Sequence, residues 1–329
     1  MAEFRKPASN VLVVIAFAIV YLVWGSTYFF IRIAIQHIPA LLMASLRFSI
    51  AGLLLLTWCA IKGEKLFSRE SLKPAFISAI FLLVVGNGAV VWSEQYISSS
   101  FAAVIASTSP LWFVLLDGRN WQKNFSSKAT VVGLIVGFVG VVMLFSENAI
   151  QAFSGTGNRL QMFSLIILAI GSASWAGGSL YSKYSTKGDS QLVTASWQML
   201  FAGFTFVPLS GLSGEWRNFH LQDVTMNSWF ALFYLVIFGS LIAFSAYTWL
   251  LKVRPATQVS THAYVNPVVA VILGTMLASE KMSFLQVTGL IVVLTSVLLI
   301  NLAKYRNTEN NFFTRRPTIW KKRSLASVD

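Results

Sequence analysis

"ASLRFSIAG" (Ala44–Gly52) reads as the middle of an apolar helix with an arginine placed inside it. The chain writes the stretch a second time, 151 residues on, as "ASWQMLFAG" (Ala195–Gly203). At the same offset "WGSTYFFIR" (Trp24–Arg32) lies on "WAGGSLYSK" (Trp175–Lys183), which sets Trp24 on Trp175 and Arg32 on Lys183. Further on, "VGLIV" (Val132–Val136) matches "TGLIV" (Thr288–Val292) at an offset of 156, and Pro110 matches Pro267 at 157. Four matches in one order mark a duplicated unit, with a few extra residues in the second copy.

Each copy is built of membrane-spanning material. Of 329 residues, 56% are hydrophobic and 11% charged, where a soluble domain carries about 25% charged residues; mean hydropathy is +0.67. A helix needs about 20 apolar residues to cross a ~30 Å hydrocarbon core. Such runs occur ten times, at about 11–35, 39–61, 74–93, 98–116, 128–145, 161–183, 190–211, 228–251, 257–278 and 284–303. The expected organisation is a short cytoplasmic N-terminus (1–10), a first five-helix repeat (11–145), a periplasmic linker (146–160), a second five-helix repeat (161–303) and a basic cytoplasmic tail (304–329). Five is odd, so the second unit starts from the opposite face. The expected fold is therefore an all-α polytopic membrane protein of ten transmembrane helices in two inverted repeats, an architecture that places a substrate site at the midplane between repeats.

The net charge of +13 fits this topology better than a nucleic-acid partner. With the N-terminus inside, 20 of the 25 Lys and Arg residues fall on cytoplasmic segments, three (Arg159, Arg217, Lys281) fall outside, and Arg32 and Arg47 fall within spans. That asymmetry sets both termini in the cytoplasm. The tail "FFTRRPTIWKKRS" (Phe312–Ser324) suits an orientation signal or contact with anionic lipid. Arg5 and Lys6 precede an apolar stretch too long for a signal-peptide core, so the first span is read as uncleaved. The single cysteine, Cys59, excludes an intrachain disulfide.

On these residues the chain resembles the drug/metabolite transporter superfamily with tandem EamA domains, across about residues 11–303. "WGSTYFFIR", "RFSIAGLLLL" (Arg47–Leu56), "VGNGAVV" (Val85–Val91) and "AYVNPVVAVILGT" (Ala263–Thr275) are similar to the YedA-like branch of bacterial inner-membrane transporters. The resemblance implies an exporter of amino acids, other metabolites or toxic compounds in the bacterial inner membrane. It also implies a structural role for Arg47, since an arginine is common at that position. One departure concerns the Gly-Glu pair that often follows the fourth helix of an EamA unit. The second half has the related Ser279-Glu280, and the first has Asp117-Gly118.

The polar groups inside the spans are the candidate site. In "THAYVNPVVAVILG" (Thr261–Gly274), with Gln258 just before it, Gln258, His262 and Asn266 recur every four residues and so share one helix face; Ala270 and Gly274 continue it. At 1.5 Å per residue, Asn266 and Pro267 reach roughly mid-membrane. Pro267 cannot bond the carbonyl of Ala263, nor Pro110 that of Ala106. Backbone freed in this way is tolerated at membrane depth where it lines a wet cavity or packs in protein. Thr108 and Ser109 reach the same depth from the other side. Trp24 and Tyr28 on the first span, Asn87 between Gly86 and Gly88 on the third, Trp175 and Ser179 on the sixth, and Tyr264 complete the expected substrate-binding set. Arg32, Arg47, Pro110 and Pro267 are expected to act in structure or gating. A central arginine costs about 2.5–3.5 kcal/mol even on the lenient insertion scale, so Arg47 must face protein, water, Glu94 or an anionic substrate group. The same residues also suit plain interhelical bonding. Gly133, Gly137 and Gly140 allow close packing, expected within the chain rather than in a homodimer.

No carboxylate falls clearly inside a span, with Glu94 and Glu280 at outer ends, so a facilitator or exchanger is the first expectation. Proton-coupled drug efflux through His262, the only histidine inside a span, is the second. An intramembrane enzyme is disfavoured: no HExxH, paired buried aspartates or nucleophile elbow is present, and no cofactor motif is seen. A scaffold or receptor needs no midplane polar groups.

Overall fold

The computed structural model describes residues 9–97, 99–154, 159–186, 190–217, 219–278, 284–285, 287–289 and 291–300. The basic tail, residues 1–8, residues 155–158 of the expected linker and the Ser279-Glu280 pair lie outside those residues, as does the side chain of Ala270. The described residues are helical and carry no strand. The first half comprises α1 (Asn10–Ala34), α2 (Ala40–Ile61), α3 (Arg69–Ala79), a π-helical segment (Ile80–Asn87), α4 (Gly88–Ser93), α5 (Ser99–Ala106), α6 (Ser109–Leu116), α7 (Trp121–Phe125) and α8 (Lys128–Ser154). The second comprises α9 (Arg159–Ser185), α10 (Gln191–Leu212), α11 (Met226–Tyr234), a second π-helical segment (Leu235–Ile242), α12 (Ala243–Val253), α13 (Ala256–Val259), α14 (His262–Ala278) and helix within 284–300.

Among the described residues, six continuous helices are long and apolar enough to cross a membrane: Asn10–Ala34, Ala40–Ile61, Glu70–Ser93, Leu160–Ser185, Gln191–Leu212 and Met226–Val253; Lys128–Gly140 and Val287–Ile300 are shorter apolar helices. Their outer faces present large apolar side chains such as Leu53, Ile135, Ile166, Phe230 and Leu298. Such a surface is a liability in water and is matched to lipid.

Two of the ten expected spans are divided rather than continuous. The fourth breaks between α5 and α6. Pro110 stands in the first turn of α6, where its missing N–H is one of the unsatisfied ones anyway, and the carbonyl of Ala106 accepts the Ser109 hydroxyl at 2.7 Å. Pro110 thus opens a helix instead of kinking one. The ninth span breaks at Ser260–Thr261. There Ala263 N–H donates to Ser260 O (3.0 Å) and Tyr264 N–H to Thr261 O (3.1 Å), tight i→i+3 bonds that reset the helix register.

The repeated "AS…AG" motif is the seam between the halves. Both motif helices, α2 and α10, are 22 residues long. The Ser45 hydroxyl donates to Gly203 O at 3.0 Å. A Cβ on Gly203 would lie 2.6 Å from Ser49 N, and one on Gly52 2.8 Å from Leu200 N. The paired positions, 45 and 49 with 203, 52 with 196–200, run in opposite senses, so the two helices are antiparallel. Hydrocarbon supplies no hydrophobic drive between helices, so such backbone proximity supplies van der Waals contact in its place. The GxxxG face on α8 packs within the chain: a Cβ on Gly137 would lie 2.5 Å from Ser296 Oγ and 2.7 Å from the Tyr264 ring.

The π-helical segments, each eight residues, sit 155 residues apart. A second shared device caps helix ends. Arg32 Nη1 donates to the carbonyls of Glu94 and Ile97. Lys183 Nζ donates to those of Leu251 and Arg254, each 157 residues beyond its counterpart. A cation beside terminal carbonyls complements the helix dipole.

Candidate functional site

A cavity of ≈ 760 Å³, its open mouth included, lies between the two sets of helices. Trp24 and Tyr28 reach it from α1, one turn apart; Arg47 and Phe48 reach it from α2. The two π-helical segments give Asn87 and Gly239, α9 gives Trp175, and α14 gives His262 and Asn266. Ser109 faces it from the start of α6. Wide helical turns of this kind recur at functional sites because they leave carbonyls unpaired along the helix. Here Gly239 O accepts the Trp24 indole N–H at 3.0 Å.

One wall is aromatic. Trp24 meets Trp175 edge-on at 5.3 Å, Tyr247 at 4.8 Å and His262 at 5.1 Å. The residues that the repeat sets on one another, Trp24 and Trp175, therefore touch. Hydrogen bonds lock the group: Trp175 Nε1 donates to Tyr247 Oη (3.0 Å), and Ser179 Oγ and Tyr247 Oη share a bond at 2.6 Å. His262 Nδ1 lies 2.9 Å from Val259 O, so that nitrogen donates to the carbonyl.

The polar groups are arranged differently. Arg47 Nε donates to Ser240 Oγ at 2.9 Å, and its guanidinium lies 4.9 Å from the Phe48 ring centre. Its Nη1 is buried with no hydrogen-bond partner, and the same holds for Asn87 Oδ1 and Asn266 Oδ1. Each such orphan costs on the order of 1–3 kcal/mol, more for a charged group. All three belong to residues that line one cavity, one as a cationic donor and two as amide acceptors.

Of the residues singled out by sequence, Trp24, Tyr28, Asn87, Ser109, Trp175, His262, Asn266 and Arg47 line the cavity. The others lie off it. Tyr264 is buried in a separate cluster with Val114 and Leu134 and donates to Leu134 O at 2.9 Å. Ser179 stands behind Tyr247, also bonding Trp175 O at 2.7 Å. Thr108 is satisfied by Ile105 O at 2.7 Å. Arg32 caps α4 and its following turn, and Pro110 and Pro267 act on backbone. Gln258, expected on the His262 face, is buried elsewhere because the Ser260–Thr261 turn separates it from α14. Sequence reading missed Tyr247, Gly239 and Ser240. Tyr247 and the Gly239-Ser240 pair stand in the eighth run beside Ser228, Tyr234, Ser245 and Thr248, so no single signal set them apart.

The chain matches the EamA-like transporter family over residues 11–146 and 162–302. It is 39% identical over 287 residues to the uncharacterized inner membrane transporter YedA of Escherichia coli K12, covering 87% of this chain and 89% of that protein. It is 25% identical over 303 residues to the uncharacterized transporter YvbV of Bacillus subtilis, covering 90% and 93%. A solved crystal structure shares the fold at a TM-score of 0.70 with 17% identity, covering 91% of this chain and 99% of that one.

Proposed function

Because the chain belongs to the EamA-like transporter family, with one family unit in each half, and is a membrane transporter, we propose that it is an exporter or facilitator of small metabolites, amino acids or related amphipathic compounds, in the bacterial inner membrane. It works by alternating access around the cavity described above, with ten spans in two inverted five-helix repeats and both termini cytoplasmic. The antiparallel run of α2 against α10 supports the inversion. One observation carries the substrate class: Arg47 Nη1, Asn87 Oδ1 and Asn266 Oδ1 lack partners at a cavity walled by Trp24, Trp175 and Phe48. An anionic group on Arg47, N–H donors on the two amides and an apolar body against the rings satisfy all of them. Small-molecule sites are built in this way, apolar walls with few placed polar groups.

The test is counterflow in proteoliposomes holding the purified protein, screened with labelled amino acids, purines and cationic drugs. Saturable exchange of a zwitterionic compound, reduced at least tenfold in Asn87→Ala, is the expected result. Exchange confined to cationic drugs would sink the substrate class, and exchange untouched by the mutation would move the site elsewhere. A second reading, proton-coupled drug efflux through His262, draws on that histidine's place in the cavity wall; an unchanged pH profile in His262→Ala removes it.

A further inference from the structure

Three carboxylates among the described residues sit in closely packed surroundings, and they differ. Glu215 accepts the N–H groups of Leu41 and Leu42, both at 3.0 Å, and the Ser210 hydroxyl at 2.6 Å. Asp117 accepts Asn120 Nδ2 at 3.0 and 3.2 Å and Tyr184 Oη at 2.7 Å. Glu94 is 0% exposed, and neither of its carboxylate oxygens has a hydrogen-bond partner.

Its position is unfavourable to a negative charge in two further ways. Glu94 caps the C-terminal end of α4, the negative end of the helix dipole. The two cations within electrostatic reach, Arg32 and Arg47, direct their N–H groups elsewhere: Arg32 to the carbonyls of Glu94 and Ile97, Arg47 Nε to Ser240. Removing an ion from water costs several kcal/mol even after relaxation, and a field from a nearby cation offsets it only with good geometry and bonded lone pairs. Here the lone pairs are unbonded.

We propose that Glu94 is a proton-binding site, holding a proton while it is buried and releasing it when the transport cycle opens this end of the cavity to water. The placement connects it to the site. Val90, whose carbonyl accepts the Glu94 N–H at 3.0 Å, lines the cavity, as do Tyr28 and Arg47. The titratable and charged groups facing it are Tyr28 and Arg32 from α1 and Arg47 from α2. From Leu160 to Leu180, α9 carries none, and neither does α5. The coupling to substrate rests on the reading of Arg47 as an anion site: an anionic group there weakens the positive field at Glu94, so substrate and proton reinforce each other's binding, reciprocally.

Proton binding is testable without a substrate. Infrared difference spectra of the full-length protein in lipid vesicles are recorded as pH is raised from neutral. The expected result is the carbonyl stretch of a protonated carboxyl at neutral pH, moved by isotopic labelling of glutamate and not of aspartate. Glu94→Gln should abolish the band, Asp117→Asn should leave it, and Glu94→Asp should keep a carboxyl band with a shifted midpoint. A wild-type spectrum with no such band, or a band that survives Glu94→Gln, overturns the proposal. A missing transport substrate would leave these spectra unchanged, so failure of the transport reading is told apart from failure of this one.

Discussion

The two halves of the chain share a scaffold and differ in chemistry. The scaffold features recur: α2 and α10 are equal in length and face each other through Gly52 and Gly203, a π-helical segment sits at the same place in each half, and Arg32 and Lys183 each cap a pair of carbonyls. The chemistry does not recur. Asn266 has a buried orphan oxygen where its counterpart Ser109 is satisfied by Ala106 O. Glu94 has Leu251 as its counterpart, and Arg47 has the uncharged Gln198, whose Nε2 donates to Ser78 and Ser182 while its Oε1 is itself without a partner. Duplication supplies a frame shared by the two halves, and single-copy substitutions give the cavity its polarity.

The largest expected effect lies in the shared scaffold. Gly203→Leu places side-chain atoms where a Cβ already meets Ser49 Oγ; overpacking typically costs 1–3 kcal/mol and occasionally more. It should abolish the monodisperse protein in detergent, and Gly52→Leu should do the same. If only one of the pair fails, the seam is not shared. Next comes Arg47→Gln. Hydrogen bonds to charged groups contribute about 1.5–3 kcal/mol, so exchange of a zwitterion should fall by roughly 10- to 100-fold, read as initial counterflow rate. The reverse change at the repeat mate, Gln198→Arg, should lower thermal stability without creating exchange. Smallest are the caps. Arg32→Met and Lys183→Met should each lower stability by up to about 1 kcal/mol through the lost helix-dipole contact, measured by thermal unfolding in detergent. A clear inequality between them would show that the caps are not equivalent.

Much of this was legible in the sequence, because duplication leaves motif pairs and small residues at the seam. The offset read from "ASLRFSIAG" is the offset at which the motif helices and Trp24 and Trp175 meet in space. The π-helical segments were not legible: their composition is that of any apolar helix. Tyr264 was assigned to the cavity from its nearness to His262 and Asn266. Two residues from each of these along a helix, it points to the other side, against Gly137. Gln258 shared the stripe only while the ninth span was taken as one helix, and the Ser260–Thr261 turn breaks that periodicity. From sequence Glu94 stands at the outer end of an apolar run, a candidate partner for Arg47, with nothing to mark it as fully buried. Its burial comes from the packing of α4 against α9 and α2, a tertiary fact with no local signature.

The most direct test of asymmetric chemistry on a symmetric frame is a counterflow comparison of Ser109→Ala and Asn266→Ala, the two residues that precede the paired prolines. The account predicts at least a tenfold loss for Asn266→Ala, about 1.4 kcal/mol, and a change of less than about threefold for Ser109→Ala, whose hydroxyl is already bonded to Ala106. Equal losses at the two positions, or retention of exchange in Asn266→Ala, would contradict it.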